Sequence, residues 1–406
     1  MRELIITMKH IKITSLIIAA ATMLSIITGC KTNTDKYSGH NTTHSSDVNS
    51  HTFTVSSEQN LPSNEPVSDA SSDITSSYQS DISSTVTSSN ASSTNSNSNS
   101  SSVTSSSGNS SDSTSSKPNI PIPSPESIDF CLGIVSGSSI KPTEQLKLFK
   151  KAGFDAFFME YSASEVEKCK KTADEIGMYF QSLHATYKYM RHMWTESEQT
   201  PLGIKELSEC IDCCAKFNIP ILIVHPFIGF NYPVPNDLSF GIENFRIIID
   251  KARALGIKIA FENVEGEEYL AALMNEFSEY DNVGFCWDTG HEICYNRDKD
   301  MLELYGDKLI ATHINDNFGI SGDSIGFIDD LHVLPLDGVK IWDDAMTRLN
   351  KCEYNGIMTF ELVISSDTDN KYGTDYSKMD FSDYLNLVYN RACQLRDIRE
   401  QIKKRI

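Results

Sequence analysis

The stretch IKIAFENVEGEEYLAALMNEFSEYDNVGFCWDTGHEI, residues 257–293, contains two short apolar runs separated by one amphipathic segment. The runs are rich in β-branched and aromatic residues, which favour strands, whereas the segment between them has apolar residues at helical spacing. A strand, a helix and a second strand in this order form a unit with two parallel strands. Each run carries an acidic residue near its end, Glu262 in the first and Asp288 in the second.

The same alternation repeats along the whole C-terminal part of the chain. Six further apolar runs precede or follow the quoted pair, each separated from the next by a polar turn and a segment with helical spacing. Several of these segments end in glycine, a common helix stop, at Gly153, Gly177 and Gly256. The six runs are IDFCLGIV (128–135), FDAFFMEY (154–161), MYFQSLHA (178–185), PILIVHP (220–226), LIATHIND (309–316) and GIMTFELV (356–363).

Eight such units in about 280 residues predict a (β/α)8 TIM barrel over residues 126–406. Strands buried on both faces give continuous apolar runs like these. A doubly wound open sheet would give a similar alternation. The count of eight and the lack of a glycine-rich phosphate loop favour the barrel.

Ionisable residues collect at the ends of the predicted strands and in the loops after them. In a TIM barrel these ends form the active site. A single strand-end histidine is more often a hydrogen-bonded core residue, but several acids and imidazoles in one mouth need a compensating charge, and a cation supplies it. The residues are Glu160, His184, His225, Glu262, Asp288, His291, His313 and Glu361, with Asp330 and His332 in the loop after the seventh strand.

Four of these residues form a predicted metal site. Glu262, Asp288, His313 and Glu361 supply three carboxylates and one imidazole. This set suits Mn, Mg or Co, and Zn also because it accepts imidazole. We expect Gly290 to let the backbone turn after Asp288. The predicted roles of the others are substrate binding or additional metal ligation, and these residues are Glu160, His184, His225, His291, Asp330 and His332.

The motifs HATY, VHP, FENVEG, WDTGH, HINDN, DLHVLPLDG and FEL resemble the xylose-isomerase-like superfamily over the whole predicted barrel. That superfamily includes sugar-phosphate isomerases and epimerases, inosose dehydratases and type IV apurinic endonucleases. The resemblance to the epimerases implies one divalent metal and proton transfer by Glu262 and Glu361. The resemblance to the endonucleases implies a three-zinc site with matches at His184, His225, Glu262, Asp288, His291, His313, Asp330, His332 and Glu361.

Two departures limit what the resemblance implies. The epimerases of free ketoses usually carry an arginine shortly after the metal-binding histidine, whereas HINDNFGI, which begins at His313, has none. The endonucleases need a basic surface facing DNA, whereas this chain has a formal net charge of −20. Such a charge disfavours nucleic acid and anionic lipid surfaces as partners.

The leading interpretation is therefore a metal-dependent isomerase or epimerase acting on a small sugar or polyol. A metal-dependent phosphodiesterase or endonuclease-like hydrolase is one alternative, and a non-catalytic sugar-binding lipoprotein is another. Fold alone does not separate these three functions.

The N-terminal segment predicts export and lipid anchoring. Basic residues precede the apolar stretch ITSLIIAAATMLSII (13–27), which is too short for an ordinary spanning helix. ITGC (27–30) resembles a bacterial lipobox, which implies a signal peptide at residues 1–29 and a lipid on Cys30. A plain secretion signal and an uncleaved anchor are the alternatives. The expected location is the extracytoplasmic face of the cell membrane.

Residues 30–125 are dominated by Ser, Thr, Asn and Asp with almost no apolar clusters. Such a segment cannot bury enough surface to offset the entropy of ordering, so we predict a disordered tether. The nine cysteines after Cys30 mostly occur within apolar patterns, and a domain of this size needs no disulfide framework. We interpret them as free thiols. CIDCC (210–214) fits a buried helix face, or alternatively a soft metal site.

Replacing the predicted lipidation site tests the anchor. We expect Cys30→Ser to release the protein from the membrane or leave its signal uncleaved, because the acceptor thiol is lost. Cell fractionation and N-terminal mass measurement report both outcomes, with Cys393→Ser as the control. A cleaved variant that stays in the membrane would contradict the lipobox.

Overall fold

A computed structural model describes residues 120–230, 232–297, 299–364 and 375–405. The predicted signal peptide, Cys30 and nearly all of the predicted tether lie outside these residues. The described residues form one sheet of eight parallel strands in the order β7-β6-β5-β4-β3-β2-β1-β8. The strands are β1 Phe130–Gly133, β2 Ala156–Glu160, β3 Tyr179–His184, β4 Ile221–Val224, β5 Lys258–Glu262, β6 Val283–Asp288, β7 Leu309–His313 and β8 Met358–Phe360.

The sheet closes on itself. Strand β1 pairs with both β2 and β8, and Ile314, directly after β7, forms a parallel bridge with Phe360 of β8. The backbone N–H of Ile314 donates to Thr359 O at 2.7 Å across the same junction. Consecutive strands are neighbours all the way round, so the TIM barrel is confirmed and the doubly wound alternative is wrong.

Helices cover the outside of the barrel. Gly153 and Gly177 end two of them in the left-handed conformation, with φ of 114° and 67°, as the sequence predicts. The short helix α6 directly after β6 was not expected. The helices are α1 Pro142–Ala152, α2 Val166–Ile176, α3 Thr200–Phe217, α4 Ser239–Ala254, α5 Glu267–Glu276, α6 Thr289–Cys294, α7 Met301–Tyr305, α8 Trp342–Lys351 and α9 Phe381–Lys403.

The strands alternate between two apolar layers, because successive side chains point to opposite faces of a sheet. Four non-aromatic residues from neighbouring strands form one small cluster, and aromatic residues such as Phe261 and Trp287 belong to the main core with the helices. The small cluster contains Ile223, Ala260, Cys286 and Ala311. Its members lie on β4 to β7, so it marks the face of these strands that the helices do not cover.

The nine cysteines of the described residues are free thiols, six of them buried. Cys210 and Cys214 of α3 are fully buried in the main core with Cys169 of α2. Among the described residues, the groups with metal-ligand geometry contain no cysteine. CIDCC is therefore a helix face that packs in the core.

In the part of the chain that the structure describes, none of the helices has the length and apolar character needed to cross a membrane.

Close packing of α4 against the loop after β3 gives a stability prediction. A Cβ atom added at Gly241 would lie 2.1 Å from Trp194 Cε3, whereas one added at Gly322 would meet nothing within 4 Å. Overpacking costs about 1–3 kcal/mol, more than the roughly 1 kcal/mol that alanine gains over glycine in a helix. We expect Gly241→Ala to lower Tm by a few degrees in thermal unfolding and Gly322→Ala to leave it unchanged. Equal Tm values would show that the indole moves aside without cost.

Candidate metal centre

The strands place the predicted site residues on one face and at one end of the barrel. Glu262 comes two residues after Ala260, Asp288 two after Cys286 and His313 two after Ala311. Residues two apart point to the same face of a strand, so these side chains share the face of the small inner cluster. Parallel strands end on the same side, and the three side chains therefore meet at the C-terminal mouth.

Glu262 lies at the centre of the cluster and is fully buried. Its Oε1 lies 3.0 Å from His313 Nδ1, and its Oε2 lies 3.2 Å from His184 Nε2 and 3.4 Å from His225 Nε2. A fourth imidazole is close, with His291 Nδ1 at 3.4 Å from Oε1. One carboxylate therefore contacts three imidazoles from the ends of β3, β4 and β7 and a fourth from α6.

Asp288 both ends β6 and begins α6. Its Oδ1 accepts the backbone N–H of His291 at 2.7 Å, which caps the helix, and its Oδ2 accepts from Asn315 Nδ2 at 2.8 Å. Gly290 is required for a reason other than the predicted turn: its φ is not positive, and a Cβ atom there would lie 1.8 Å from Asn315 Oδ1. The glycine lets the loop after β7 approach α6.

The remaining members surround this centre. Glu361 Oε2 lies 3.0 Å from His313 Nδ1 and 3.7 Å from His332 Nδ1. Asp330 connects two imidazoles, with Oδ1 at 3.0 Å from His332 Nε2 and Oδ2 at 3.2 Å from His291 Nε2. Nine of the ten strand-end and loop residues of the sequence prediction thus form one network of contacts.

Glu160 is the tenth. It pairs with His184 in the β2–β3 register and lines the cavity above the cluster, but it belongs to none of the groups with metal-ligand geometry. Contact with substrate stays a prediction for Glu160.

The protonation of the metal-free cluster follows from this crowding. Burial would lower the pKa of His313, but Glu361 and Glu262 more than offset it and raise that pKa well above its ordinary value. Burial would likewise lower the pKa of His332, but the nearby carboxylate of Asp330 offsets this effect and raises the pKa to about 10. Burial would raise the pKa of Glu361, but the imidazoles of His313 and His332 lower it to about 2.

Three sets of ligand atoms lie close enough to hold a cation, with the atoms of each set within 4.8 Å of one another. Buried nitrogens at His225, His313 and His332 have no hydrogen-bond partner among the described residues. Unpaired imidazole nitrogens beside crowded carboxylates fit a divalent Mn, Mg, Co or Zn. The sets are Glu262, Asp288, His313 and Glu361; Asp288, His291 and His332; and His184, Glu262 and His313.

A cavity of about 250 Å³ opens above the cluster. Its wall includes Tyr187, whose ring stacks on His225 at 5.2 Å, and Tyr295, whose hydroxyl donates to Asp330 Oδ2 at 3.0 Å. It also includes Glu265, which accepts the backbone N–H of Gly229 at 2.6 Å. These three were not predicted as site residues, although HATY and FENVEG contain Tyr187 and Glu265, and Tyr295 directly follows α6.

Two buried acids anchor the loops around the site. Asp316 accepts the backbone N–H groups of Leu336 and Lys340 and the indole N–H of Trp342, which fixes the segment after His332. Glu292 of α6 pairs with Arg348 and Lys340, and is 1% exposed. Neither acid belongs to a group with metal-ligand geometry, so their role is to position the loops.

Metal uptake should release protons, because a cation must displace them from imidazoles whose pKa is raised in the free site. His291, His313 and His332 all have raised pKa values. We therefore expect the affinity for Zn²⁺ to rise as pH increases from 6 to 8, because releasing each displaced proton costs less free energy at higher pH. Calorimetric titration in buffers of different ionisation enthalpy measures the release. A binding enthalpy independent of the buffer would contradict it.

One curated protein is similar to this chain in sequence. Uncharacterized protein y4fM of Sinorhizobium fredii (strain NBRC 101917 / NGR234) is 30% identical over 187 residues, 42% of this chain and 54% of that protein. The chain thus spans about half the length of this curated relative.

Solved structures show the same fold at low identity. A xylose isomerase domain protein from Planctomyces limnophilus has a TM-score of 0.51 and 14% identity, covering 69% of this chain and 100% of that chain. A D-psicose 3-epimerase, solved in the presence of D-fructose, has a TM-score of 0.53 and 18% identity, covering 67% and 99%. An L-ribulose 3-epimerase has a TM-score of 0.52 and 14% identity, and the match covers 68% of this chain and 96% of that chain.

The family profile described as Xylose isomerase-like TIM barrel matches residues 146–379. This match covers more than half of the chain, which therefore belongs to the xylose isomerase-like TIM barrel family.

Proposed function

We propose that the protein is a metal-dependent isomerase or epimerase of a sugar or sugar phosphate. One observation carries the proposal: Glu262 and Glu361, from strands β5 and β8, each place a carboxylate oxygen 3.0 Å from the same atom, His313 Nδ1. Two carboxylates brought close to one point from different strands suit removal of a proton from a carbon by one and return of a proton by the other. Solved neighbours described as sugar epimerases support this substrate class.

In this proposal the residues of the cluster have different roles. His313 Nδ1 contacts both glutamates at 3.0 Å, and Asp288 is held by Asn315 and by the cap of α6, so that its carboxylate orientation is fixed. When bound, a divalent cation would polarise a carbonyl and acidify the neighbouring C–H. Glu361 is partly exposed to the cavity whereas Glu262 is fully buried, so Glu361 is better placed to reach a substrate carbon first.

The cavity supports a small polar substrate. Its wall combines imidazoles and carboxylates with apolar side chains such as Phe158 and Leu362. Polar groups in an otherwise apolar cleft orient hydroxyl groups, and the apolar patches contact C–H faces. The export signal predicted from ITGC adds to the proposal that the substrate is met outside the cytoplasmic membrane.

Replacing either glutamate by glutamine tests the mechanism, since it keeps the shape but removes the base. We expect Glu361→Gln and Glu262→Gln each to lower turnover by roughly two or more orders of magnitude, partly through weaker metal binding. Glu175→Gln, on the exposed face of α2, is the matched control. Turnover is measured on a library of aldoses, ketoses and their phosphates after metal loading.

Solvent deuterium identifies the chemistry in the same assay. Proton transfer by the glutamates should place deuterium from D2O at the carbon next to the carbonyl, and NMR of the product reports it. An active enzyme whose product carries no deuterium would rule out the two-glutamate mechanism. Sugar binding without turnover, at full metal content, would instead favour the non-catalytic binding protein.

A phosphodiesterase or endonuclease-like hydrolase is the second candidate, because Asp288, His291 and His332 form a second group with metal-ligand geometry beside the first. Several metals in one site suit displacement at phosphorus. Elemental analysis of the purified protein separates the two: about one metal per chain favours the isomerase, and about three zinc ions favour the hydrolase. The acidic net charge weighs against a nucleic-acid substrate.

A further inference from the structure

An aromatic residue of the loop after β7 lies at the edge of the cavity above the metal centre. Phe327 begins the one-turn helix Phe327–Asp329 and lines that cavity, and it is nevertheless 58% exposed. Its neighbour Ile328 is 79% exposed and does not belong to the cavity wall. Phe327 therefore has free ring surface that a ligand in the cavity can contact.

The ring of Phe327 is supported from outside the cavity. It packs edge to face on Phe230, with centroids 4.5 Å apart and an angle of 84° between the rings. Phe230 lies 5.7 Å from Tyr295, which also lines the cavity. Phe230 follows β4 and Phe327 follows β7, and these strands are not neighbours in the sheet. The contact therefore joins two loops at the mouth, and we call these three rings the aromatic rim.

The aromatic rim is tied to the metal centre through Asp330. The backbone N–H of Asp330 donates to Phe327 O at 3.2 Å, and the Tyr295 hydroxyl donates to Asp330 Oδ2 at 3.0 Å. The next residue, Leu331, donates its backbone N–H to Asn317 Oδ1 at 2.7 Å, which holds the base of the loop. A side chain of the metal centre thus fixes the position of both rings that face the cavity.

The same cavity carries two carboxylates that a bound cation would not neutralise directly. Glu160 and Glu265 line it but belong to none of the groups with metal-ligand geometry. Glu265 is 4% exposed, and neither glutamate forms an ion pair within the described residues. A phosphate group in this cavity would be repelled by both side chains. The wall therefore favours an uncharged substrate.

An aromatic ring beside polar groups suits a sugar with one end at the metal ligands. The carbonyl and the neighbouring hydroxyls would lie at the metal centre, and the remaining carbons would lie against the cavity wall. The C–H groups of these carbons can pack on an apolar ring, whereas a charged group there would lose water without gaining a partner.

We propose that Phe327 is a specificity-determining residue, whose ring packs on the C–H groups of an unphosphorylated sugar. This inference rests on the proposed function for the reaction at the metal centre. It narrows the substrate class to free sugars, and it assigns a substrate contact to the loop after β7.

Binding of free and phosphorylated sugars to the metal-loaded full chain tests the inference. D-glucose and D-fructose are compared with their 6-phosphates by calorimetry and saturation-transfer NMR. We expect a free sugar to bind more tightly than its phosphate, and Phe327→Ala to weaken binding of that free sugar about three- to tenfold. Phe327→Tyr keeps the ring and should restore the affinity. Ile328→Ala, in the same turn but outside the cavity wall, is the matched control.

A kinetic measurement accompanies binding for any sugar that is turned over. Loss of a contact that is equal in the bound substrate and the transition state raises KM and leaves kcat nearly unchanged. We expect this pattern in Phe327→Ala. A fall in kcat at unchanged KM would contradict a role in binding.

The outcomes separate this inference from the proposed function. Affinity that is lost in Phe327→Ala, restored in Phe327→Tyr and kept in Ile328→Ala supports the inference, even if no sugar is turned over. Equal affinity of the wild-type protein and Phe327→Ala overturns it, and turnover by both leaves the isomerase standing. Tighter binding of the 6-phosphates also overturns it and leaves the isomerase standing. If neither free sugar binds, the inference is overturned as well.

Discussion

Everything at the mouth of this barrel depends on one buried carboxylate. Glu262 is removed from water, and a buried charge of this kind costs several kcal/mol unless it is paired. Imidazoles from the ends of β3, β4 and β7, and from α6, surround it. Its pKa lies well below the ordinary value: burial would raise it, but His313, His184 and His225 together outweigh burial. The pKa values of His184, His291 and His313 are raised, so in the metal-free site their protons balance the negative charge that a cation would otherwise balance. Metal and protons therefore compete for one network.

The ligands keep their positions because other polar groups hold the loops. The carboxylate of Asp316 and the ion pairs of Glu292 lie just behind the cluster and are buried themselves. Backbone strain is also present there: Leu336 has a φ of 76° and His332 a φ of 46°, both unusual for residues with a Cβ atom. Asp316 accepts the backbone N–H of Leu336, and Asp330 contacts the imidazole of His332. These contacts hold a conformation that the loop would not otherwise prefer.

The sequence was enough for the fold and for the approximate composition of the cluster, because both follow from periodicity. A strand residue two positions beyond Ala260 must face the same side, and parallel strands must end together. Loop geometry does not follow from periodicity. The cap of α6 by Asp288 and the packing of Gly290 on Asn315 each depend on which segments meet at the mouth. Phe230 and Phe327 lie far apart in sequence, and no local pattern indicates that their rings meet.

Asp288 is shared by two candidate ligand groups, and this limits how many cations the site can hold. It belongs to both the four-residue group and the group with His291 and His332. Two cations bound to the two groups would repel each other, and the second binds well only if a carboxylate bridges them. Asp288 already accepts two hydrogen bonds, one on each oxygen. These bonds fix its orientation and leave fewer lone pairs for bridging. The cap of α6 and the Asn315 amide therefore favour occupation of the first group alone, and loss of the Asn315 amide would free Asp288 to bridge.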